Sequence, residues 1–270
     1  MTMRRKEVVS VLGVLLVAAM AAMSESPASA QAGATAPPQR VAVTTTQVKP
    51  DMVATWRDLI QKEAVPAFKK AGVPWRWVFS SGPLGGQAFT FTTVTPVANY
   101  AQYDQPPAIQ RAMGPEGAAK YNARLLPTVV STSTVIHTLI PQASLQSFSS
   151  TPPVLARIAT TQLLPGKGPE FTEITASEFL PAFKKSGVTD HLMFATTYGG
   201  PGNERTIVTF LSKYADLDAP NPLVKALGQE AAQKLNQKRA ALTSGTEAIV
   251  LRLVPELSYG VPAKPTGSTQ

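Results

Sequence analysis

Pro66-Ala67-Phe68-Lys69-Lys70-Ala71-Gly72-Val73 returns as Pro181-Ala182-Phe183-Lys184-Lys185-Ser186-Gly187-Val188, with seven of eight residues identical. The same 115-residue offset holds upstream without a gap: Thr45-Thr46-Gln47 meets Thr160-Thr161-Gln162, Pro50 meets Pro165, Trp56 meets Phe171 and Glu63 meets Glu178. Downstream one residue drops out within a Gly-rich turn and the offset becomes 114. Tyr100-Ala101 then meets Tyr214-Ala215, Asp104 meets Asp218, Pro106 meets Pro220, Gly114 meets Gly228, and Pro141 and Ser144 meet Pro255 and Ser258. A single gap over about a hundred residues reads as a tandem duplication, 41–144 and 156–258. The period is too long for a solenoid, so each copy is a domain-sized half. Residues 31–40 and 145–155, each with a Pro-Pro pair, read as linkers, and 259–270 as a disordered tail.

Because the halves align, every element is read twice. Val41–Val48 and Ala156–Leu163, rich in Val, Ile and Thr and followed by proline, are first strands. Asp51–Ala71 and Gly168–Ser186 carry apolar residues at helical spacing and end at Gly72 and Gly187; Pro66 and Pro181 predict a kink or a break there. Second strands fall at Arg76–Ser80 and His191–Thr196, third strands at Ala88–Thr95 and Arg205–Phe210. A second helical region covers Pro107–Leu126 and Pro222–Leu242, interrupted near Gly114 and Gly228. Fourth strands run over Thr132–Ile140 and Thr246–Val254.

The order βαββαβ is the split-βαβ, ferredoxin-like unit. Two such units in one α+β chain resemble the dimeric α/β-barrel superfamily, which includes antibiotic-monooxygenase-like, NIPSNAP-like, EthD-like, chlorite-dismutase-like and muconolactone-isomerase-like proteins. The resemblance implies a pseudo-dimeric α/β barrel with helices outside. It rests on element order and duplication and carries over no catalytic residue. The alternative assembly keeps the halves as separate α/β sandwiches on the 145–155 linker.

Alternation sorts each strand into two faces. Trp75, Trp77 and Phe79, with Leu192 and Phe194, form the more apolar face of the second strands and are expected against the helices. On that assignment Arg76, His191, Thr134, Thr138 and Arg252 point into a shared barrel cavity, with Gln47 and Gln162 at its ends. Arginine there suits an anionic or carbonyl-bearing ligand, since it offers fixed, permanently charged donors. His191, Arg76 and Arg252 are the candidate catalytic residues; Gln47, Gln162, Thr134 and Thr138 are candidate ligand contacts. His137 stands where the other half has Leu251 and reads as a hydrogen-bonded core histidine. Tyr100 and Tyr214, shared by both halves, read as packing residues. Gly199-Gly200-Pro201-Gly202 leads into a strand and lacks the lysine of a phosphate loop, so it reads as a hairpin turn. The Lys-Lys pairs at 69–70 and 184–185 complement a helix C-terminus. Neither Gly-x-Ser-x-Gly nor His-Glu-x-x-His occurs.

Composition narrows the chemistry by subtraction. The 270 residues include no cysteine and two histidines, which leaves out disulfides, thiolate chemistry and zinc–thiolate or iron–sulfur sites, and no metal is expected. Chlorite-dismutase-like barrels bind haem through histidine, but nothing else in the sequence supports haem and no cofactor is expected. Arg4-Arg5-Lys6, the apolar run Val8–Met23 and Ala28-Ser29-Ala30 make residues 1–30 an export signal, with a periplasmic or extracellular destination and no stable membrane insertion after cleavage. The residues after Arg4-Arg5 fit a twin-arginine signal poorly. The formal charge of +8 becomes +7 when three basic and two acidic residues leave with the signal, and no basic stripe points to nucleic acid. The expected protein is a monomer or homodimer that binds a small molecule. Two other readings stand beside this one: a cofactor-free monooxygenase- or isomerase-like enzyme, and a structural module with a solid barrel.

Overall fold

The computed structural model describes residues 39–146 and 152–262. The export signal, the first linker up to residue 38, the centre of the second linker and the tail beyond 262 lie outside the described residues. Eight strands form: β1 (Arg40–Val48), β2 (Trp77–Ser81), β3 (Thr90–Val97), β4 (Val129–Leu139), β5 (Leu155–Leu163), β6 (Leu192–Tyr198), β7 (Glu204–Leu211) and β8 (Thr243–Leu253). They close into one antiparallel barrel in the order β1-β3-β2-β8-β5-β7-β6-β4. Within that circle the first four strands run β4-β1-β3-β2 and the last four β8-β5-β7-β6, the same order in each half. The halves join at two seams. At one, β2 pairs with β8 (Phe79↔Leu253); at the other, β4 pairs with β6 (Leu139↔Phe194). Closure removes every sheet edge, so the separate-sandwich assembly is not the one adopted.

Helices cover the outside. In the first half α1 (Val53–Leu59) continues through a π-helical stretch, Ile60–Ala64, into α2 (Val65–Lys70). In the second, α4 (Gly168–Ile174) continues through Thr175–Phe179 into α5 (Leu180–Ser186). No break falls at Pro66 or Pro181, since Ala64, Val65, Phe179 and Leu180 all keep right-handed helical angles; the irregularity at each proline is the π-helical stretch just upstream. The wider π turn just upstream gives the proline ring room against the preceding turn and absorbs its missing N–H, so the helix runs on. The interruption expected at Gly114 and Gly228 is present. Gly114 (φ 76°, ψ 168°) lies inside α3 (Ala108–Leu125), and Gly228 (φ 82°, ψ 166°) separates α6 (Pro222–Leu227) from α7 (Gln229–Ala240). Such angles are open to glycine at little cost.

Ordered chain runs past the expected domain ends. Tyr259 bridges Arg76 and Leu145 bridges His191, the same device at equivalent positions. Trp77 Nε1 donates to the Gly260 carbonyl at 2.9 Å. Tyr100 and Tyr214 each reach across to the other half: the Tyr100 ring meets Tyr198 edge-on at 5.4 Å, and the Tyr214 hydroxyl covers Gly82.

The two helix-covered faces differ. In the first half, Trp56, Ile60, Val78, Phe91, Tyr121 and Leu257 belong to one continuous core cluster, with Trp56 stacked on Phe91 at 4.3 Å. The second half splits in two, one cluster around Phe171, Met193 and Leu242 and another around Phe179, Leu223 and Leu235. A third environment, the barrel lumen, is lined by Trp75, Trp77, Phe79, Ala156 and Leu251.

Candidate functional site

The lumen assignment reverses the expected faces. Trp75, Trp77, Phe79, Leu192 and Phe194 point into the barrel, while Val78 and Met193 pack against the helices. Eight strands wall the lumen all round between its two ends, whereas the outer face is only partly covered by helices. The more apolar face therefore belongs inside. Arg76, His191, Thr134, Thr138 and Arg252 all lie on the outer face, and the shared polar barrel cavity expected for them does not form.

They do not come together outside the barrel either. Thr134 and Thr138 make hydroxyl contacts with Thr44 (2.8 Å) and Thr197 (2.6 Å) on neighbouring strands. Arg252 is exposed, its guanidinium 5.2 Å from the Tyr214 ring centroid. Gln47 and Gln162 lie on the lumen face of their strands: Gln47 joins the Ala88 carbonyl and the Thr90 hydroxyl, and Gln162 donates to Glu204 at 2.7 Å. Arg76 is sealed into the first half. Nη1 donates to the Leu257 carbonyl at 2.7 Å, Nη2 reaches Thr93 Oγ1 at 3.4 Å, and the guanidinium lies 5.4 Å from the centre of Phe68. Burial lowers its pKa to about 10, against a smaller opposing effect of Tyr121 and Tyr259, so it is charged at neutral pH.

His191, the counterpart of Arg76, has different surroundings. Its backbone exchanges two hydrogen bonds with Leu145 (3.0 and 2.8 Å) and its ring lies 4.8 Å from Phe183, yet Nε2 is buried without a partner. It borders a cleft of about 690 Å³ between the outer face of β5 and β7 and helices α5 to α7. The cleft lies between the two core clusters of this half, with Ile207 from one and Phe183 and Leu223 from the other in its walls.

Two arginines enter the same cleft. Arg157 projects from β5 where the first half has Ala42, and Arg239 from α7 where it has Leu125. Arg239 is half-buried over the Phe179 ring at 4.3 Å. Among the described residues neither guanidinium takes part in an ion pair or a hydrogen bond. The neighbouring lysines of α7 are paired, Lys234 with Glu230 and Lys238 with Glu178. The cleft's carboxylate, Asp216, accepts instead from the amides of Ser212 and Lys213. Burial, with Arg157 adding to it, lowers the Arg239 pKa. Burial first, then Arg239 and Arg157, hold His191 at about 4, so it is neutral at physiological pH. Arg157 is exposed, while the half-buried Arg239 has the Phe179 ring as an electron-rich neighbour. With no anion paired to either among the described residues, two cations beside a neutral imidazole with a free nitrogen make a site suited to a negative partner.

The sequence reading found His191 but missed both arginines. The available signal was the contrast between copies, an alanine and a leucine replaced by arginine at equivalent positions. Among the described residues no group of three or more His, Asp or Glu side chains is arranged to hold a metal ion, and no helix is long and apolar enough to cross a membrane.

No family model and no curated protein matches the sequence. Solved structures do match in fold. A candidate monooxygenase from Lactobacillus acidophilus NCFM aligns with TM-score 0.53 at 8% identity, over 83% of this chain and 98% of that one. An anthrone oxidase-like protein aligns with TM-score 0.53 at 11% identity, over 80% and 91%. A mutant chlorite dismutase from Candidatus Nitrospira defluvii aligns with TM-score 0.51 at 10% identity, over 81% and 92%. At such identities the likeness is one of architecture, an α+β chain closed into an eight-stranded antiparallel barrel with helices outside.

Proposed function

We propose that the outer cleft of the second half binds a small molecule with an apolar body and an anionic or carbonyl-bearing end. The observation that carries this reading is the pair of exposed Arg157 and half-buried Arg239, neither side chain with an acceptor among the described residues, beside the unpartnered Nε2 of His191. Phe183, Ile207 and Leu223 supply the apolar wall. The test is calorimetric titration of the purified protein with naphthoate, which joins a ring system to a carboxylate. Binding is expected to weaken by about tenfold or more in Arg157→Met and in Arg239→Met, since a charge-assisted hydrogen bond contributes about 1.5–3 kcal/mol. Unchanged affinity in both variants would remove the cleft from consideration.

A second reading makes the same cleft catalytic. Neutral His191, its Nε2 unpartnered, would take a proton from a carbon next to a carbonyl, and the two arginines would hold the resulting oxyanion. His191→Gln then abolishes turnover while naphthoate still binds. A pure binding site shows no turnover to lose.

We further propose that the halves are copies of one unit, a reading supported by their matched residues and identical strand order, and that the chain is exported. The export reading rests on the basic, apolar and Ala-Ser-Ala segments of residues 1–30. Expressed in a bacterial host with an export machinery, the secreted protein should begin at Gln31, as read by N-terminal sequencing. A chain retained in the cytoplasm with Met1 intact would refute it.

A further inference from the structure

The barrel is not solid. Its lumen encloses about 580 Å³, within the range of small-molecule sites. Most of the wall is aromatic or aliphatic, with Trp77 set 5.5 Å from Trp75 and 5.9 Å from Phe210. A polar row crosses four consecutive strands of the circle, β4, β6, β7 and β5. His137 is in register with Thr196, and Gln162 with Glu204. Thr196 Oγ1 lies 3.5 Å from His137 Nδ1 and 3.4 Å from Glu204 Oε1, both at the limit of a hydrogen bond, while Gln162 holds the other carboxylate oxygen at 2.7 Å. His137 and Glu204 both border the cavity.

The row is not a requirement of closing the barrel. At the opposite seam the equivalent positions are Leu251, Ser81, Thr90 and Gln47, and Thr90 donates to Gln47 at 2.6 Å. That side closes without a histidine or a carboxylate. We propose that the lumen is a second ligand site, for a neutral ring-bearing molecule whose single hydroxyl donates to the His137–Glu204 row.

The chemistry of the row selects that class. Burial holds His137 at about 4, so at neutral pH its imidazole is uncharged. A carboxylate accepts and cannot donate, so a ligand group aimed at Glu204 must bring the proton, and an anionic end would be repelled there. The cavity's other charged side chain, Arg40, has its guanidinium 4.8 Å from the Tyr100 ring centre. The lumen and the outer cleft therefore select opposite partners, a donor in one and an anion in the other.

Tryptophan fluorescence reports on the lumen directly, because Trp75 and Trp77 line it. The probes are naphthol, naphthalene and naphthoate, added to the intact purified protein at neutral pH. Naphthol and naphthalene should each change the emission saturably, with naphthol binding about tenfold more tightly and naphthoate more weakly than either. His137→Leu and Glu204→Thr copy the residues of the opposite seam, Leu251 and Thr90. Each should remove the preference for naphthol and leave naphthalene unchanged, and Arg239→Met should alter neither. Three results would overturn the proposal: no saturable change in the wild type, equal loss of naphthol and naphthalene in both lumen variants, or loss of naphthol in Arg239→Met alone.

Discussion

Gly199→Ala is expected to destabilise the protein by about 3 kcal/mol or more, while Gly187→Ala costs about 1–2 kcal/mol. Both glycines have positive φ, 81° and 88°, so an alanine at either position bears the cost of a left-handed backbone. Their surroundings separate them. A Cβ on Gly187 meets nothing within 4 Å, whereas one on Gly199 would be driven into the Thr134 carbonyl and lie 3.3 Å from the Val135 Cα. Gly199 follows β6 directly and packs on the backbone of β4, at the seam that joins the halves. The added carbon has to push that seam apart. Urea unfolding of both variants gives the comparison. Equal losses would mean that the seam yields at little cost.

Acidification is expected to remove stability on the order of 6 kcal/mol between about pH 6.5 and pH 4 through the two histidines together. Burial depresses both His137 and His191 from 6.5 to about 4 in the folded protein. Above pH 6.5 neither carries a proton in either state, and their contribution to stability is complete. Below it the unfolded chain takes up protons that the folded chain refuses, and each histidine costs about 1.4 kcal/mol per pH unit until about pH 4. The urea midpoint, followed from neutral pH to 4.5, should fall steadily. His137→Leu should flatten the slope by one proton and His191→Gln by another. A midpoint independent of pH over this window would mean that both rings are solvated. Naphthoate should reverse part of the loss, because an anion beside His191 favours its protonated form.

The matched residues of the two halves made the strand and helix order legible. Each element appears twice, so a weak pattern in one half is tested against the other. The breaks at Gly114 and Gly228 followed from the same comparison. Local patterns were least informative at Pro66 and Pro181, where a π turn upstream made room for the ring. Alternation divided each strand into two faces without saying which was inner. That choice depends on closure, because Trp75, Trp77 and Phe79 suit either a helix-covered face or a sealed lumen.

The site was legible in part. His191 stood out as one of two histidines, but Arg157 and Arg239 are far apart in the chain and neither lies in a motif. Residue order alone established two matched halves, their βαββαβ pattern and a chemistry without thiols, because these depend on local periodicity and residue type. Only the tertiary structure decided that the barrel closes on its aromatic face and that the second half's core divides. The physical reason is that long-range packing sets which face loses its water, and so where unpaired charge is left to meet a ligand.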